Sequence, residues 1–298
     1  NTKMNVQHYK NIILPMLTES FDAREAENLF KFTLEDFFKK RYFDIKDFDL
    51  SDEEIEELNY IYEKISNHYP IQYIFNKAHF YGLDFYVDEH VLIPRPETEE
   101  LVHSILSENK QELVSVLDIG TGSGCIAISL KKHRPEWSVF AIDVSENALE
   151  VAKINALKNH TTIEFFNHDI LPNTDFFVDV NLYMETNDAG PLKLDIIVSN
   201  PPYIPLKEKE QMSVSTVQFE PHLALFVEDN NPLLFYDKIA DFALQHLTPH
   251  GKLYLELNEF NANDVKALLE TKGFRHVYIK QDLAGKNRMI TAQFFLKT

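Results

Sequence analysis

Three glycines within five residues mark the stretch of this sequence best suited to binding a ligand. Gly120, Gly122 and Gly124 follow an apolar run, although the whole chain of 298 residues has only eight glycines. Glycines at this spacing allow a tight turn and the close approach of a ligand to the backbone at a helix N-terminus. The loop has no lysine, unlike a phosphate-binding P-loop, and Cys125 stands where the dinucleotide fingerprint requires its third glycine.

One carboxylate precedes the glycines and two follow them, at the ends of successive predicted strands. Asp118 directly precedes the glycines, where it would repel a pyrophosphate and suit a positively charged amino or sulfonium group. Asp143 lies nineteen residues beyond Gly124, a position from which a carboxylate can accept both hydroxyls of a ribose. Asp169 follows the next strand and can accept the exocyclic amine of adenine. Together these residues predict an S-adenosylmethionine site rather than a nicotinamide dinucleotide site.

A fourth predicted strand ends in the sequence Asn200-Pro-Pro-Tyr203, which suits the binding of a planar amino group. Asn200 offers a side-chain oxygen and Pro201 a backbone carbonyl, and two such acceptors can hold both hydrogens of an NH₂ group. Pro202 stiffens the turn, and Tyr203 offers a flat face to the substrate. Holding both hydrogens draws the nitrogen lone pair out of conjugation, so positioning and electrostatics would carry an in-line methyl transfer that leaves S-adenosylhomocysteine. The motif does not distinguish adenine N6, guanine N2 or a glutamine amide.

The elements that must position these residues are predicted from apolar periodicity and turn signals. Residues 1–69 have helical spacing and two capping-box patterns, beginning at Asp22 and at Ser51. Residues 70–93 are predicted to form a β-hairpin linker, and residues 94–298 a domain in which strands and helices alternate. The prediction is an α/β fold: a doubly wound, mostly parallel, seven-stranded sheet of the S-adenosylmethionine-dependent methyltransferase type, preceded by a small helical domain.

The composition narrows the class of protein further. The net charge is −18, which argues against phosphate-driven binding to nucleic acid, and no run of about 18 apolar residues predicts a membrane span. The single cysteine excludes an intramolecular disulfide and fits a reducing, cytoplasmic location, and no signal-peptide pattern stands at the start. The twelve histidines lack metal-ligand spacing, so we expect no metal.

At this point the sequence resembles the release factor glutamine N5-methyltransferases over nearly its whole length, from about residue 10 to the end. The most discriminating shared stretch is Val91-Leu-Ile-Pro-Arg-Pro-Glu-Thr-Glu99, which amino-methyltransferases acting on nucleic acid do not usually have. The other shared stretches are Pro70–Ile74, Leu117–Gly124, Val198–Ile204, Phe219–Pro221 with Leu223–Leu225, and Asp282–Arg288.

The resemblance implies methylation of the glutamine in the Gly-Gly-Gln motif of class I peptide chain release factors, in support of translation termination. It implies that the helical domain docks the release factor, and a monomer without direct contact to nucleic acid is expected. Arg95 and Glu97 are expected to shape the mouth of the site, without assigned contacts. The implied contacts to the cofactor come from Asp118, Gly120, Thr121, Gly122, Ser123, Gly124, Asp143, Asp169, Ile170 and Asn200, and those to the glutamine from Asn200, Pro201, Pro202 and Tyr203.

The sequence departs from the family pattern at several peripheral turns. Asn76 and Asn258 stand where glycine is usual, and Asn261 stands where glutamine is usual. The stretch 227–233 replaces one that usually carries several glycines, and the loop 171–194 is longer than usual. Because asparagine tolerates left-handed backbone better than most residues, we expect the turns at 76, 230 and 258 to survive.

Three alternatives stay open at this point. The same fold and motif would serve an amino-methyltransferase acting on adenine or guanine of DNA or RNA, against which the net charge argues. A glutamine of another protein is a second possible substrate. A third alternative is a binding module that has lost its chemistry, against which the intact Asn200 and Pro201 argue.

Overall fold

The computed structural model describes residues 4–172 and 193–295, and these residues group into two compact units. The first unit comprises residues up to Lys77 together with Ser213–Phe219, and the second comprises Ala78–Met212 and the chain from Glu220 onward. By its internal contacts the hairpin predicted as a linker therefore belongs to the second unit. The three-part division at residues 69 and 93 stays a prediction.

The first unit is a helical bundle with a small strand pair. Ser51 forms a complete capping box with Glu54, whereas Asp22 caps its helix by accepting one bond, from the Glu25 amide. Tyr62 is fully buried and donates its hydroxyl to the Phe30 carbonyl, so its polar atom is satisfied inside the aromatic core. The helices are α1 Val6–Leu17, α2 Ala23–Phe38, α3 Tyr42–Ile45, α4 Asp52–Ser66, α5 Ile71–Ile74 and, from the later segment, α9 Val214–Phe219; the antiparallel strands are β1 Met4–Asn5 and β2 Asp49–Leu50.

The second unit alternates strands and helices, as predicted from about residue 112 onward. Its strands are β3 Ala78–Phe80, β4 Leu83–Phe85, β5 Ser115–Ile119, β6 Ser138–Asp143, β7 Glu164–Asn167, β8 Leu194–Ser199, β9 Ile204–Pro205, β10 Phe226–Val227, β11 Leu247–Glu256, β12 Arg275–Gln281 and β13 Asn287–Gln293. Its helices are α6 Pro96–Glu108, α7 Cys125–His133, α8 Glu146–Lys158, α10 Leu234–His246 and α11 Ala262–Lys272, with two 3₁₀ turns at Leu206–Gln211 and His222–Ala224.

A seven-stranded sheet in the order β12-β13-β11-β8-β5-β6-β7 organises this unit, which confirms the predicted fold class. Among the described strands of this sheet, β13 alone runs against the others, because it pairs antiparallel with both β11 and β12. The chain moves outward from β5 through β6 to β7 and then returns to the other side of β5 as β8. The switch point of the sheet, where ligands bind in such folds, therefore lies between β5 and β8.

The strands of the sheet separate two apolar cores because successive side chains point to opposite faces. Leu117 and Ile197 pack with α10 and α11 on one face, whereas Val116 and Ile196 pack with α6 and α7 on the other. Both faces are thus covered by helices, which explains why these strands are continuous apolar runs.

The structure differs from the predicted elements at the hairpin and in three strands of the second unit. The hairpin is short and ends at Phe85, so residues 86–93 follow it as irregular chain. β11 begins at residue 247, five residues before the predicted start, and the short parallel pair of β9 and β10 was not predicted.

Of the asparagine turns, residue 76 adopts the expected left-handed backbone, with φ of 48°, whereas residues 230 and 258 do not. Most of the loop predicted to be long lies outside the described residues. None of the helices in the described ranges is long and apolar enough to cross a membrane.

Candidate active site

The glycine loop connects β5 to α7 at the switch point and is bonded to the neighbouring strand. The amides of Gly120 and Thr121 both donate to the carbonyl of Ile142 at the end of β6, at 2.9 and 3.0 Å. All three glycines have left-handed backbone, with φ of 72°, 54° and 81° for Gly120, Gly122 and Gly124. A side chain at any of the three would therefore be strained, which explains why this loop keeps its glycines.

The third glycine lies where α7 packs against α8. A Cβ at Gly124 would stand 2.9 Å from Ile128 and 3.3 Å from Ala152, so α7 and α8 approach closely there. A Cβ at Gly120 or Gly122 would meet no described protein atom within 4 Å. The first two glycines thus leave open space for a ligand beside the backbone.

Asp118 lies beneath the loop, fully buried. Its Oδ2 accepts a hydrogen bond from the Thr121 hydroxyl at 2.7 Å, and the backbone amide of Ala127 also lowers its pKa. Its Oδ1 makes no hydrogen bond of normal geometry with the described residues. Burial raises the pKa of Asp118 from 3.8 to about 7. A buried carboxylate oxygen without a partner suits a positively charged group nearby, because the charge would offset the cost of burial.

Asp143 ends β6 and holds the glycine loop by its carboxylate. One oxygen accepts from the Gly122 amide at 2.8 Å, and the other accepts from the Ser145 amide at 2.9 Å. Burial raises the pKa of Asp143, and these backbone bonds lower it. Each oxygen retains a second acceptor site, so the group can also accept hydroxyl protons of a ligand.

These loops surround a cavity of about 210 Å³ at the carboxyl end of the sheet. Ten of the residues predicted to bind cofactor or substrate line it: Gly120, Thr121, Gly122, Ser123, Asp143, Asp169, Ile170, Asn200, Pro201 and Pro202. Asp118, Gly124 and Tyr203 are not among the lining residues. Direct contacts from these three residues stay predictions.

The Asn-Pro-Pro-Tyr turn follows β8 directly beside the glycine loop. The hydroxyl of Ser199 donates to the Ile119 carbonyl at 2.6 Å, which ties the end of β8 to the end of β5. The amide nitrogen of Asn200 donates to Thr98 Oγ1 at 3.4 Å, and Thr98 donates in turn to Glu256 at 2.6 Å. Tyr203 does not offer its hydroxyl to the cavity, because it donates this group to Glu256 at 2.9 Å.

Several buried polar residues that support the site were not predicted from the sequence. Glu256 ends β11 and is 2% exposed; burial raises its pKa, and the bonds from Thr98 and Tyr203 lower it. Asn258 donates to the Tyr203 carbonyl at 3.3 Å. Glu256 could have been predicted from its position at the carboxyl end of a strand, because Asp143 and Asn200 were predicted from that position.

The segment that precedes α6, residues 91–95, is held by the buried carboxylate of Glu220. Glu220 forms an ion pair with Arg95 at 2.5 Å and accepts a hydrogen bond from the Ile93 amide at 2.9 Å. Arg95 also lines the cavity, as the expected role at its mouth requires, whereas Glu97 is exposed on the first turn of α6. The Glu220 carboxylate thus joins the segment before α6 to a segment 125 residues later in the sequence.

Comparison with known proteins agrees with this geometry. A Methyltransferase small domain family matches residues 98–219. A release factor glutamine methyltransferase of Flavobacterium psychrophilum is 41% identical, over 98% of this chain and all of the relative. A second, from Lactococcus lactis subsp. lactis, is 45% identical over 82% of this chain and 84% of its own. The chain belongs to the release factor glutamine methyltransferase family.

Membership in this family makes the protein a methyltransferase, as predicted, and identifies the chemistry that the cavity must serve. The crystal structure of a methyltransferase from Pyrococcus furiosus has the same fold, with a TM-score of 0.51 and 19% identity over 81% of this chain and 98% of that one. Within residues 4–172 and 193–295, no three His, Cys, Asp or Glu side chains are grouped to hold a metal ion.

The residues of the cavity fit S-adenosylmethionine, the cofactor that the family implies. The open space beside Gly120 and Gly122 admits a ligand against the backbone, and the partnerless oxygen of Asp118 suits its positive charge. Asp143 and Asp169 both line the cavity, the first at the end of β6 and the second two residues beyond the end of the neighbouring β7. This combination is the one that the sequence predicted for a cationic nucleoside.

We predict that Gly120→Ala weakens cofactor binding, whereas the matched variant Gly273→Ala does not. Both glycines have left-handed backbone and no described atom within 4 Å of a built Cβ, so both variants should lose about 1 kcal/mol of stability. Only Gly120 lines the cavity. Isothermal titration with S-adenosylhomocysteine measures the difference, and equal affinity of both variants would contradict the proposed ligand position.

We predict that Asp118 makes the cofactor-free protein less stable as pH rises. The pKa is about 7 in the folded protein and about 3.8 when the group is exposed, so the folded state binds the proton more tightly. This contribution is fully present below pH 3.8 and is lost as pH rises towards 7, by roughly 4 kcal/mol. The measurement is urea unfolding from pH 4 to 8 for the natural protein and Asp118→Asn. The natural protein should lose stability relative to the variant, and a constant difference would refute the shift.

Proposed function

We propose that this protein transfers a methyl group from S-adenosylmethionine to the side-chain amide nitrogen, N5, of the glutamine in the Gly-Gly-Gln motif of class I peptide chain release factors. The observation that carries the proposal is that Asn200 and Pro201, which have the two acceptors a planar NH₂ group requires, line the cavity together with the glycine loop. The relatives that match this chain over most of its length are release factor glutamine methyltransferases.

The cofactor, when bound, supplies a methyl group attached to a positively charged sulfur. The backbone of Gly120 and Gly122 would hold it, Asp143 would accept its ribose hydroxyls, and Asp169 would accept its adenine amine. Asp118 would balance its positive charge from beneath the loop.

The glutamine amide would be held by two acceptors of this chain. The side-chain oxygen of Asn200 and the backbone carbonyl of Pro201 would each accept one N–H, because proline leaves no competing donor there. Both hydrogens of the NH₂ group are then directed away from the cofactor, and the lone pair of the nitrogen is turned towards it. As the nitrogen–methyl bond forms, the methyl–sulfur bond would break and its electron pair would stay on the sulfur of S-adenosylhomocysteine. The methylated nitrogen would then be acidic and would lose its extra proton to water, so no strong general base is required.

A protein substrate suits the charge of this chain better than a nucleic acid does. The net charge is −18, and residues 1–90 carry ten basic and eighteen acidic side chains. A polyanion would be repelled by such a surface, since phosphate contacts dominate nucleic-acid affinity. A glutamine on a protein pays no such penalty.

The helical unit is the proposed docking module for the release factor. Three of its aromatic side chains are more than half exposed, Phe32 at 54%, Phe43 at 73% and Tyr60 at 59%. Aromatic residues are enriched in protein interfaces, where they bury large areas. We further propose that the enzyme acts as a monomer in the cytoplasm, without a metal ion.

Transfer of label tests the substrate directly. The protein is incubated with methyl-labelled S-adenosylmethionine and a class I release factor, the same factor with the motif glutamine replaced by alanine, or duplex DNA. Label should enter only the factor that keeps its glutamine. Label in DNA, or in the alanine form of the factor, would contradict the proposed substrate.

We predict that Asn200→Ala loses about 100-fold or more in kcat while the affinity for S-adenosylhomocysteine changes little. One of the two acceptors for the substrate amide is removed, and single preorganised groups of this kind are worth roughly that much. Asn230→Ala, at an exposed residue outside the cavity lining, is the matched control and should turn over normally. Normal turnover by Asn200→Ala would refute the two-acceptor arrangement.

A further inference from the structure

Glu256, at the end of β11, lies beside the start of the Asn-Pro-Pro-Tyr turn. In the parallel pairing of β11 with β8, Leu255 pairs with Ser199, so Glu256, the last residue of β11, lies beside Asn200, the first residue after β8. The Glu256 side chain is buried, and both of its oxygens accept hydroxyl protons: Oε2 from Thr98 at 2.6 Å and Oε1 from Tyr203 at 2.9 Å.

The carboxylate determines the direction of a short chain of hydrogen bonds. Because the Thr98 hydroxyl has one proton and donates it to Glu256, its lone pairs are what it can offer to Asn200. Thr98 Oγ1 accordingly accepts a hydrogen bond from the side-chain nitrogen of Asn200. At 3.4 Å this is the longest of these hydrogen bonds. The Asn200 amide is planar, so turning its nitrogen towards Thr98 leaves its oxygen on the opposite side.

We infer that Glu256 is a positioning residue, which acts through Thr98 so that Asn200 presents its oxygen, and not its NH₂ group, to the substrate amide. The inference rests on the proposed function, since only a substrate NH₂ group requires an acceptor at this place. If the Asn200 amide were turned the other way, its NH₂ group would face the substrate NH₂ group, and two hydrogen-bond donors would meet. A carboxylate suits this task because it accepts hydrogen bonds from both Thr98 and Tyr203. A neutral amide would accept from one of these hydroxyls and donate to the other.

The backbone around Glu256 is held as firmly as its side chain. The Tyr236 hydroxyl donates to the Glu256 carbonyl at 2.9 Å inside the core. Asn258, two residues after Glu256, donates to the Tyr203 carbonyl. The end of β11 and the residues after it therefore bond both the side chain and the backbone of Tyr203. Arg288 supplies a positive charge that lowers the cost of the buried carboxylate.

The kinetic test uses the full-length protein with Thr98→Val, Thr98→Ser and Glu256→Gln, and with Tyr254→Phe as a control for losing a buried hydroxyl of β11 away from the site. Thr98→Val should lower kcat by about 10- to 100-fold, with cofactor affinity and the KM for release factor changed by less than about threefold. Thr98→Ser keeps the hydroxyl and should recover most of the rate. Glu256→Gln should resemble Thr98→Val.

The double variant separates positioning from general damage. If both residues act through one chain of hydrogen bonds, Thr98→Val with Glu256→Gln should lose little more than either change alone. Additive losses would overturn the inference. So would equal losses in Thr98→Val and Thr98→Ser, or an undiminished kcat in Glu256→Gln.

A second measurement does not depend on activity, so it separates failure of this inference from failure of the proposed function. In protein labelled with ¹⁵N-asparagine, the Asn200 side-chain signals are assigned by their absence from Asn200→Asp. One Asn200 N–H should be protected from hydrogen exchange in the natural protein and in Thr98→Ser, and should lose that protection in Thr98→Val and Glu256→Gln. Protection that is the same in all four proteins would overturn the inference even if the release factor is methylated.

Discussion

The pairing of β5 with parallel neighbours on both sides is the constraint on which the site depends. Ile119 pairs with Ile142 on β6 and with Ser199 on β8, so three strands end at the same level. Hydrogen bonds from Gly120 and Thr121 to Ile142, and from Ser199 to Ile119, then join the loops that follow. The glycine loop and the Asn-Pro-Pro-Tyr turn follow residues that are 80 apart in sequence, and these bonds place them side by side.

Buried carboxylates give this edge of the sheet its chemical character. Burial raises the pKa of Asp118, Asp143 and Glu256, which lie at or near the ends of three different strands. The three carboxylates differ in how their charge is balanced. Backbone amides balance Asp143, and two hydroxyls with Arg288 balance Glu256. The Thr121 hydroxyl and the Ala127 amide balance Asp118, whose Oδ1 makes no hydrogen bond of normal geometry with the described residues. The least balanced of the three lies beneath the loop predicted to hold a cation, where a ligand can compensate it.

The sequence predicted those parts of the fold and site that depend on local patterns. The glycine spacing, the strand-end carboxylates and the Asn-Pro-Pro-Tyr turn are each contained in a few consecutive residues, and alternating apolar periods were sufficient to predict the sheet class. The links between distant segments were not predictable in this way. Thr98 and Glu256 are 158 residues apart, and Arg95 and Glu220 are 125 apart, so each contact depends on the completed sheet. Tyr203 illustrates the limit, since its motif indicates a substrate face but not the buried carboxylate that takes its hydroxyl.

A crystal structure of the enzyme with S-adenosylhomocysteine and a peptide containing Gly-Gly-Gln would test the two-acceptor arrangement most directly. The glutamine nitrogen should lie about 3 Å from both the Asn200 side-chain oxygen and the Pro201 carbonyl oxygen, with its open face towards the cofactor sulfur. A glutamine bound elsewhere, or an Asn200 that turns its NH₂ group to the substrate, would contradict this arrangement.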